Sequence, residues 1–413
     1  MNKRRVVVTG MGTINALGHN VQDTWQGILD GVCGIDFITN YDKELTKVKI
    51  AAEVKNFDAS QYLDKKAARK LDRFTQFGLI AAKEAYANSG LENHEFDRDR
   101  FGVIVSSGIG GLGTIEKDHT KALDKGHDRV SPFFVPMVIV NLAAGNIAIE
   151  IDARGMCTCP VTACAGGTNA IGDAFRAIRD GYLDVAMSGG CEATITPLGV
   201  GGFASMKALC ESEDPNRASM PFDKNRSGFV MGEGAGMLVL EELEHALARN
   251  ATIYGEMIGY GASCDAHHIT APLSDGLGGA KAMMAAIKDA NISESQVDYV
   301  NAHGTSTPLN DKCETMAIKT ALKEQANKVL VSSTKGNTGH CLGAAGGIEA
   351  LLCIKALQDG IVPATINYQE KDEECDLDIV PNQVRKADIQ VAMSNSLGFG
   401  GHNASIIFKK YGE

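Results

Sequence analysis

The sequence predicts an α/β fold made of two related halves, and three observations carry that expectation. Short apolar runs of strand length alternate with longer segments of helical periodicity. Several of those runs end in glycine-flanked polar corners. The two parts also echo each other. Small residues, an amphipathic helix and a terminal Asp-Gly follow both Cys164 and Gly343, and Val185-Ala-Met-Ser recurs at Val391-Ala-Met-Ser. A new strand pattern opens at Ile253, so residues 1–252 and 253–413 are the two expected halves.

Bulk properties narrow the class. The chain has 413 residues, 44% hydrophobic and 22% charged, which is ordinary for a soluble globular enzyme. A formal net charge of −11 and the absence of any nucleic-acid motif argue against binding to nucleic acid. The 11 cysteines have no framework-like spacing, and the Cys157-x-Cys159 pair has no second pair to complete a zinc site. Reduced thiols in the cytoplasm are expected, with no metal. The basic N-terminus lacks the apolar core of a signal peptide. No window approaches the roughly 18 apolar residues that cross a bilayer.

In chain order, Arg5 to Thr9 reads as a buried strand and Gly10-Met-Gly12 as the tight turn into a helix. The turn looks like half of a dinucleotide fingerprint, but Asn15 takes the third glycine position and no acidic residue closes a second strand. Asp64 to Asn88 is helical in pattern with a basic start. Lys65, Lys66, Arg69, Lys70 and Arg73 share much of one helix surface. In an acidic chain this cluster, with Lys207, is the expected dock for an anionic partner; a solvated helix face is the ordinary alternative. Phe101 to Ser106 is a strand leading into a glycine-rich loop, and the uncharged stretch Pro132 to Ala144 belongs in a core or at a subunit interface.

The central segment runs from Cys157 to Gly190. Val161 and its neighbours read as a short buried strand, and Ala165-Gly166-Gly167 as a tight turn. Ile171, Ala174, Phe175 and Ile178 follow at helical spacing, up to a stop at Asp180-Gly181. Cys164 then sits at a strand-to-helix corner, where the helix N-terminus favours thiolate. A nucleophile and an inert buried cysteine both fit this segment.

Further on, Val297 to Ala302 delivers His303 into H-G-T-S-T-P, and Val329 to Ser333 delivers Lys335 and His340 in T-K-G-N-T-G-H. A helix follows to Gly360, and Val391 to Asn395 leads into S-L-G-F-G-G-H-N and a closing strand, Ser405 to Lys409. Four polar corners thus stand at strand ends: Cys164, His303, Lys335 with His340, and Phe399. In open α/β sheets ligands gather at the carboxyl ends of strands, so these corners are candidates for one site. Cysteine with one histidine suits acyl transfer. The second histidine and the lysine suggest a second carbonyl that must be held and polarised.

Taken in order, T-A-C-A-G-G, N-A-H-G-T-S-T, S-S-T-K-x-x-T-G-H and N-S-x-G-F-G-G-x-N resemble the motifs of the β-ketoacyl-acyl carrier protein synthases, nearest the condensing enzyme II type of fatty acid synthesis. The likeness spans essentially the whole chain, F-D-K-N-R-S-G-F-V-M-G-E-G-A-G included. It implies the thiolase fold: two similar βαβαβαββ halves in a five-layered α-β-α-β-α arrangement, working as a homodimer. It implies decarboxylative condensation. Cys164 would carry the acyl chain, His303 and His340 would support decarboxylation, and Lys335 would order that pair with Glu349 as its partner. The N–H groups of Cys164 and Phe399 would form the oxyanion hole, with Phe399 also as gate. Thr305 and Thr307 would hold the phosphopantetheine arm, and Ile109 and Phe203 would line the acyl pocket. Lys65, Arg69 and Lys70 would meet acyl carrier protein. No cofactor is implied beyond that carried arm, apart from a structural monovalent cation near Glu349.

Gly166 and Gly336 stand where the family usually has serine or threonine, and the expectation is looser local hydrogen bonding. The rival readings are a polyketide ketosynthase, a thiolase and a noncatalytic acyl-binding scaffold. A chain without fused modules favours the first-named family, the G-H-N ending disfavours a thiolase, and the intact Cys164, His303, Lys335 and His340 disfavour a scaffold.

Overall fold

The strand patterns close into one continuous sheet whose two sides repeat each other. The computed structural model describes residues 3–412. Ten strands make the sheet: β1 (Val6–Ile14), β2 (Phe101–Ser106), β3 (Cys157–Thr158), β4 (Val185–Glu192), β5 (Gly234–Glu242), β6 (Gly255–Cys264), β7 (Tyr299–Asn301), β8 (Leu330–Ser332), β9 (Val391–Gly398) and β10 (His402–Lys409). Their order is β8-β7-β9-β10-β6-β1-β5-β4-β2-β3. From the centre outward, β1-β5-β4-β2-β3 matches β6-β10-β9-β7-β8. In each half the inner three strands are antiparallel and the outer ones parallel. The halves join through antiparallel pairing of β1 with β6, Val7 opposite Glu256. The repeated Val-Ala-Met-Ser opens β4 and β9, which occupy equivalent places.

Helices complete five layers. α1 (Arg73–Ser89) and α2 (Leu142–Glu150) cover the outer face of the first half. α3 (Gly166–Arg179) and α6 (Ala345–Asp359) form the middle layer, and α4 (Leu277–Ala290) with α5 (Pro308–Leu322) covers the second half. α6 is largely apolar and is buried on every side from Ala345 to Ile354, with Lys355, Gln358 and Asp359 near its C-terminal end. Its Leu351, Leu352 and Ile354 are fully buried, each contributing about 1.5–3 kcal/mol of burial free energy. The middle layer lies tight against the sheet because glycines let backbones touch. A Cβ on Gly236 would fall 2.3 Å from Ile348 N, and one on Gly347 2.2 Å from Gly236 O. This is the α-β-α-β-α arrangement of the thiolase fold.

Three local expectations are corrected and a fourth is narrowed. Gly10 and Gly12 make no turn: both lie inside β1, where α1 presses so close that a Cβ on Gly12 would meet Ala81 O at 2.0 Å. The basic helix is broken in two, Lys65–Ala68 and then α1, because Asp72 caps α1 by accepting from Phe74 N and also holds Thr114. Arg73 therefore turns inward to Glu233 (2.6 Å) and leaves the exposed cluster. Val161 is not a buried strand; it is 52% exposed, and the strand before it, β3, has only two residues at the sheet's edge. Of the two places expected for Pro132 to Ala144, the core takes Ala143 and Ala144, while Phe133, Val135 and Ile139 are exposed, which leaves the interface alternative for them.

Candidate active site

Cys164 lies in a single 3-10 turn, Ala163–Ala165, immediately before α3. Ala163 adopts a left-handed φ of 50°, a conformation that costs a non-glycine residue about 1 kcal/mol or more and is kept where the surroundings enforce it. The equivalent turn before α6, Leu342–Ala344, repeats the feature with Leu342 at φ 47°. Gly398 at the end of β9 closes over the turn; a Cβ there would stand 3.3 Å from Cys164 N. The backbone N–H groups of Phe399 and of Cys164 itself pull the pKa of the sulfur down.

The corners do converge. Cys164, His303, His340, Thr305, Thr307 and Phe399 line one cavity of about 400 Å³. The two imidazole rings stand 5.2 Å apart at 87°, and Phe229 packs its ring edge-on against His340, also at 5.2 Å. Lys335 lies beneath them, 1% exposed, ion-paired to the equally buried Glu349. Burial, with Lys335 beside them, drives both imidazoles well below their ordinary pKa, and His340 depresses His303 further. Both rings are neutral near neutral pH and serve as hydrogen-bond donors or proton acceptors rather than as fixed cations.

The thiolate expectation is corrected. Burial pushes the Cys164 thiol up to about 11; Lys335 and the N–H groups of Phe399 and Cys164 pull it back only in part. The helix begins behind a turn, at Gly166, and burial opposes the thiolate that a helix N-terminus would favour. A thiol held protonated by burial would have to give up its proton to act as a nucleophile, and a neutral imidazole is the acceptor at hand. The two N–H groups suit the oxygen of a tetrahedral intermediate, where one such donor is worth about 3 kcal/mol.

The other sequence candidates fall into place by location. Ile109 and Phe203 belong to the apolar cluster around Cys164, and Phe203 stands 6.2 Å from the Phe399 ring. The Thr305 and Thr307 hydroxyls are 3.1 Å apart. Lys207 is exposed and lines the same cavity. Lys65, Arg69 and Lys70 are exposed on the surface and do not line it. The space a side chain would need at the two glycines is already filled. At Gly166 the space is taken by Ser106, whose Oγ would lie 2.1 Å from a Cβ and instead donates to Pro160 O. At Gly336 a Cβ would meet Ile366 Cγ1 at 2.7 Å.

Sequence reasoning missed two supports. Glu314 on α5 accepts from His303 N (2.8 Å) and Gly304 N (2.7 Å), and burial raises it to about 7. Phe229, inside the quoted F-V-M-G run, orients His340. An acidic residue in the helix that follows the H-G-T loop was the available signal for the first; nothing local marked the second.

Fold and site together fit an acyltransferase of the thiolase fold. The chain belongs to the beta-ketoacyl synthase family, whose N-terminal domain matches residues 3–246 and whose C-terminal domain matches residues 254–369. It is 52% identical over 412 residues to the 3-oxoacyl-[acyl-carrier-protein] synthase 2 of Synechocystis sp., covering 100% of this chain and 99% of that protein. Against the synthase 2 of Staphylococcus aureus it is 51% identical, covering 99% of each. Among solved structures, the ishigamide ketosynthase/chain length factor superposes with a TM-score of 0.93 at 34% identity, covering 99% of this chain and 100% of that one. A type II PKS acyl-carrier protein in complex with its ketosynthase gives 0.92 at 34% identity, again covering 99% and 100%.

Proposed function

We propose that the chain elongates acyl thioesters in fatty acid synthesis by decarboxylative condensation with malonyl-acyl carrier protein. The observation that carries this reading is the meeting of one buried thiol with two neutral imidazoles above a buried lysine. Cys164 Sγ attacks the acyl thioester, passes its proton to an imidazole, and the carrier leaves as a thiol. Malonyl-carrier then enters and its carboxylate departs as carbon dioxide. The negative charge left on the thioester oxygen is met by His303 and His340, with Lys335 holding the field positive. The new carbanion attacks the Cys164 thioester, whose oxygen turns to the N–H groups of Cys164 and Phe399. The carbon–sulfur bond breaks, sulfur regains a proton, and a 3-oxoacyl chain two carbons longer remains on the carrier. The higher identity to fatty acid synthases than to the polyketide-type neighbours, 52% against 34%, favours this carrier system. Incubation with medium-chain acyl carrier protein and malonyl carrier protein, read by intact mass, tests it. An acylated protein and a chain two carbons longer are expected; acylation without elongation overturns the condensing role.

The partner is acyl carrier protein, whose arm would pass Thr305 and Thr307 and whose acidic face would meet Lys65, Arg69 and Lys70. Reversing those three charges to glutamate raises KM for the carrier about tenfold or more and flattens its salt dependence, with kcat preserved. Unchanged KM would reject the patch. The working unit is a homodimer in the cytoplasm: the exposed apolar residues Phe133, Val135 and Ile139 and the open edge of β3 support an interface, and the free thiols support the compartment. A monomeric sedimentation mass, or recovery outside the cytosolic fraction, counts against it.

A monovalent cation fits beside Glu349. Its Oε2, Asn301 Oδ1 and the Ser394 hydroxyl are buried without protein partners, and Asn301 lies opposite Ser394 in the β7–β9 register. That is an oxygen-rich set suited to a hard cation. Bound there, the cation supplies a fixed positive charge next to a buried carboxylate. Replacing potassium and sodium by a bulky organic cation lowers the melting temperature by several degrees; an unchanged melt rejects the site.

A further inference from the structure

Two loops that approach the thiol from different halves are held by one carboxylate. Glu192, the last residue of β4, is fully buried. Its Oε1 accepts from Ser107 Oγ at 2.9 Å and Ile109 N at 3.2 Å, and its Oε2 from Gly108 N at 2.7 Å and Gly343 N at 3.1 Å. Ser107 to Ile109 leave the end of β2 and bring Ile109 into the apolar cluster around Cys164. Gly343 lies in the turn between His340 and α6. Both glycines make space for the carboxylate: a Cβ on Gly108 would stand 2.7 Å from Oε2, and one on Gly343 2.9 Å from it. Among the described residues no lysine, arginine or histidine pairs with Glu192, so four neutral donors carry its whole burial cost.

We propose that Glu192 is the positioning residue for acylation: it pins the Ile109 segment beside Cys164 and so selects which acyl chains reach the sulfur. The inference rests on the acyl-carrying role of Cys164. Ile109 packs on the apolar cluster that includes Cys164; if the acyl chain runs along that side of the cluster, a longer chain meets more of the segment, so loosening it penalises long chains most. Glu192 also acts on the sulfur through charge. It pushes the Cys164 thiol up while Lys335, across the site, pulls it down, and the thiols of Cys159, Cys191 and Cys341 feel the same carboxylate.

The test compares Glu192→Gln with wild type, using butyryl and dodecanoyl carrier protein as acyl donors, alongside iodoacetamide alkylation of Cys164 against pH. The variant should lose about tenfold or more in kcat/KM for dodecanoyl and less than about threefold for butyryl. Its alkylation midpoint should move to lower pH, the opposite of what a merely damaged site would show. Equal losses for both chains, or an unmoved midpoint, overturn the inference. If Glu192→Gln does not fold, Ser107→Ala decides. Removing one donor while keeping the charge should give a smaller loss confined to the long chain, and no chain-length effect overturns the role. Wild type that takes no acyl chain overturns the acyl-carrying reading and this inference together; wild type that is acylated, with an unselective variant, overturns this inference alone.

Discussion

Cys164→Ala is expected to abolish elongation, by at least about 10⁴-fold, while leaving the decarboxylation of malonyl-carrier measurable. The two half-reactions use different atoms. Acylation needs the sulfur, which no other group replaces, since the imidazoles are neutral and held by packing over Lys335 rather than by the thiol. Carbon dioxide loss needs only the imidazole pair and the field beneath it. The truncated side chain is small, so the fold should lose at most about 1 kcal/mol. Intact mass should show no acyl adduct, and carbon dioxide release should continue. An acyl adduct on the variant would place the nucleophile elsewhere; equal loss of both half-reactions would mean that the thiol is part of the decarboxylation machinery.

Lys335→Ala should damage stability and chemistry together. It strands Glu349, buried at 3% exposure, without its charge partner, at a cost of about 3–5 kcal/mol. It also removes the strongest favourable charge acting on Cys164, so alkylation of the thiol should shift to higher pH. The imidazoles should rise from their depressed values, since a positive neighbour is gone. Decarboxylation should fall because the developing negative charge loses its support. Lys335→Met combined with Glu349→Gln separates the two effects: the melting temperature should recover substantially and the activity should not. Recovery of activity in the double variant would show that the lysine serves the fold alone.

The strands, the two-half repeat and the polar corners were legible because burial writes itself as apolar runs and corners as glycines. The echo between Cys164 and Gly343 was a true one: both precede helices of the same layer through turns of the same hand. What escaped reading was set by contacts between distant segments. Gly10 and Gly12 look like a turn in sequence because the helix backbone that requires them, at Ala81 and Ala85, arrives some seventy residues later. Asp72 reads as one more solvated charge until its bonds to Phe74 and Thr114 are seen. The acidity of Cys164 was misjudged for the same reason, since helix position shows in periodicity and desolvation does not. The convergence of the corners that carry His303 and His340 was foreshadowed by their places at strand ends; the pairing of the two imidazoles in one role came only through family resemblance.

The matched turns before α3 and α6 have a mechanical consequence. The thiol belongs to one half and both imidazoles to the other, so neither half carries a complete reaction path. Attack distance is a property of how the halves seat on each other, and that seating is backbone against backbone: a Cβ on Gly167 would meet Gly343 O at 2.9 Å. Such a joint has almost no slack. Sliding one half over the other would misalign sulfur and imidazole together, which makes the middle layer the machine bed on which the chemistry is kept in register.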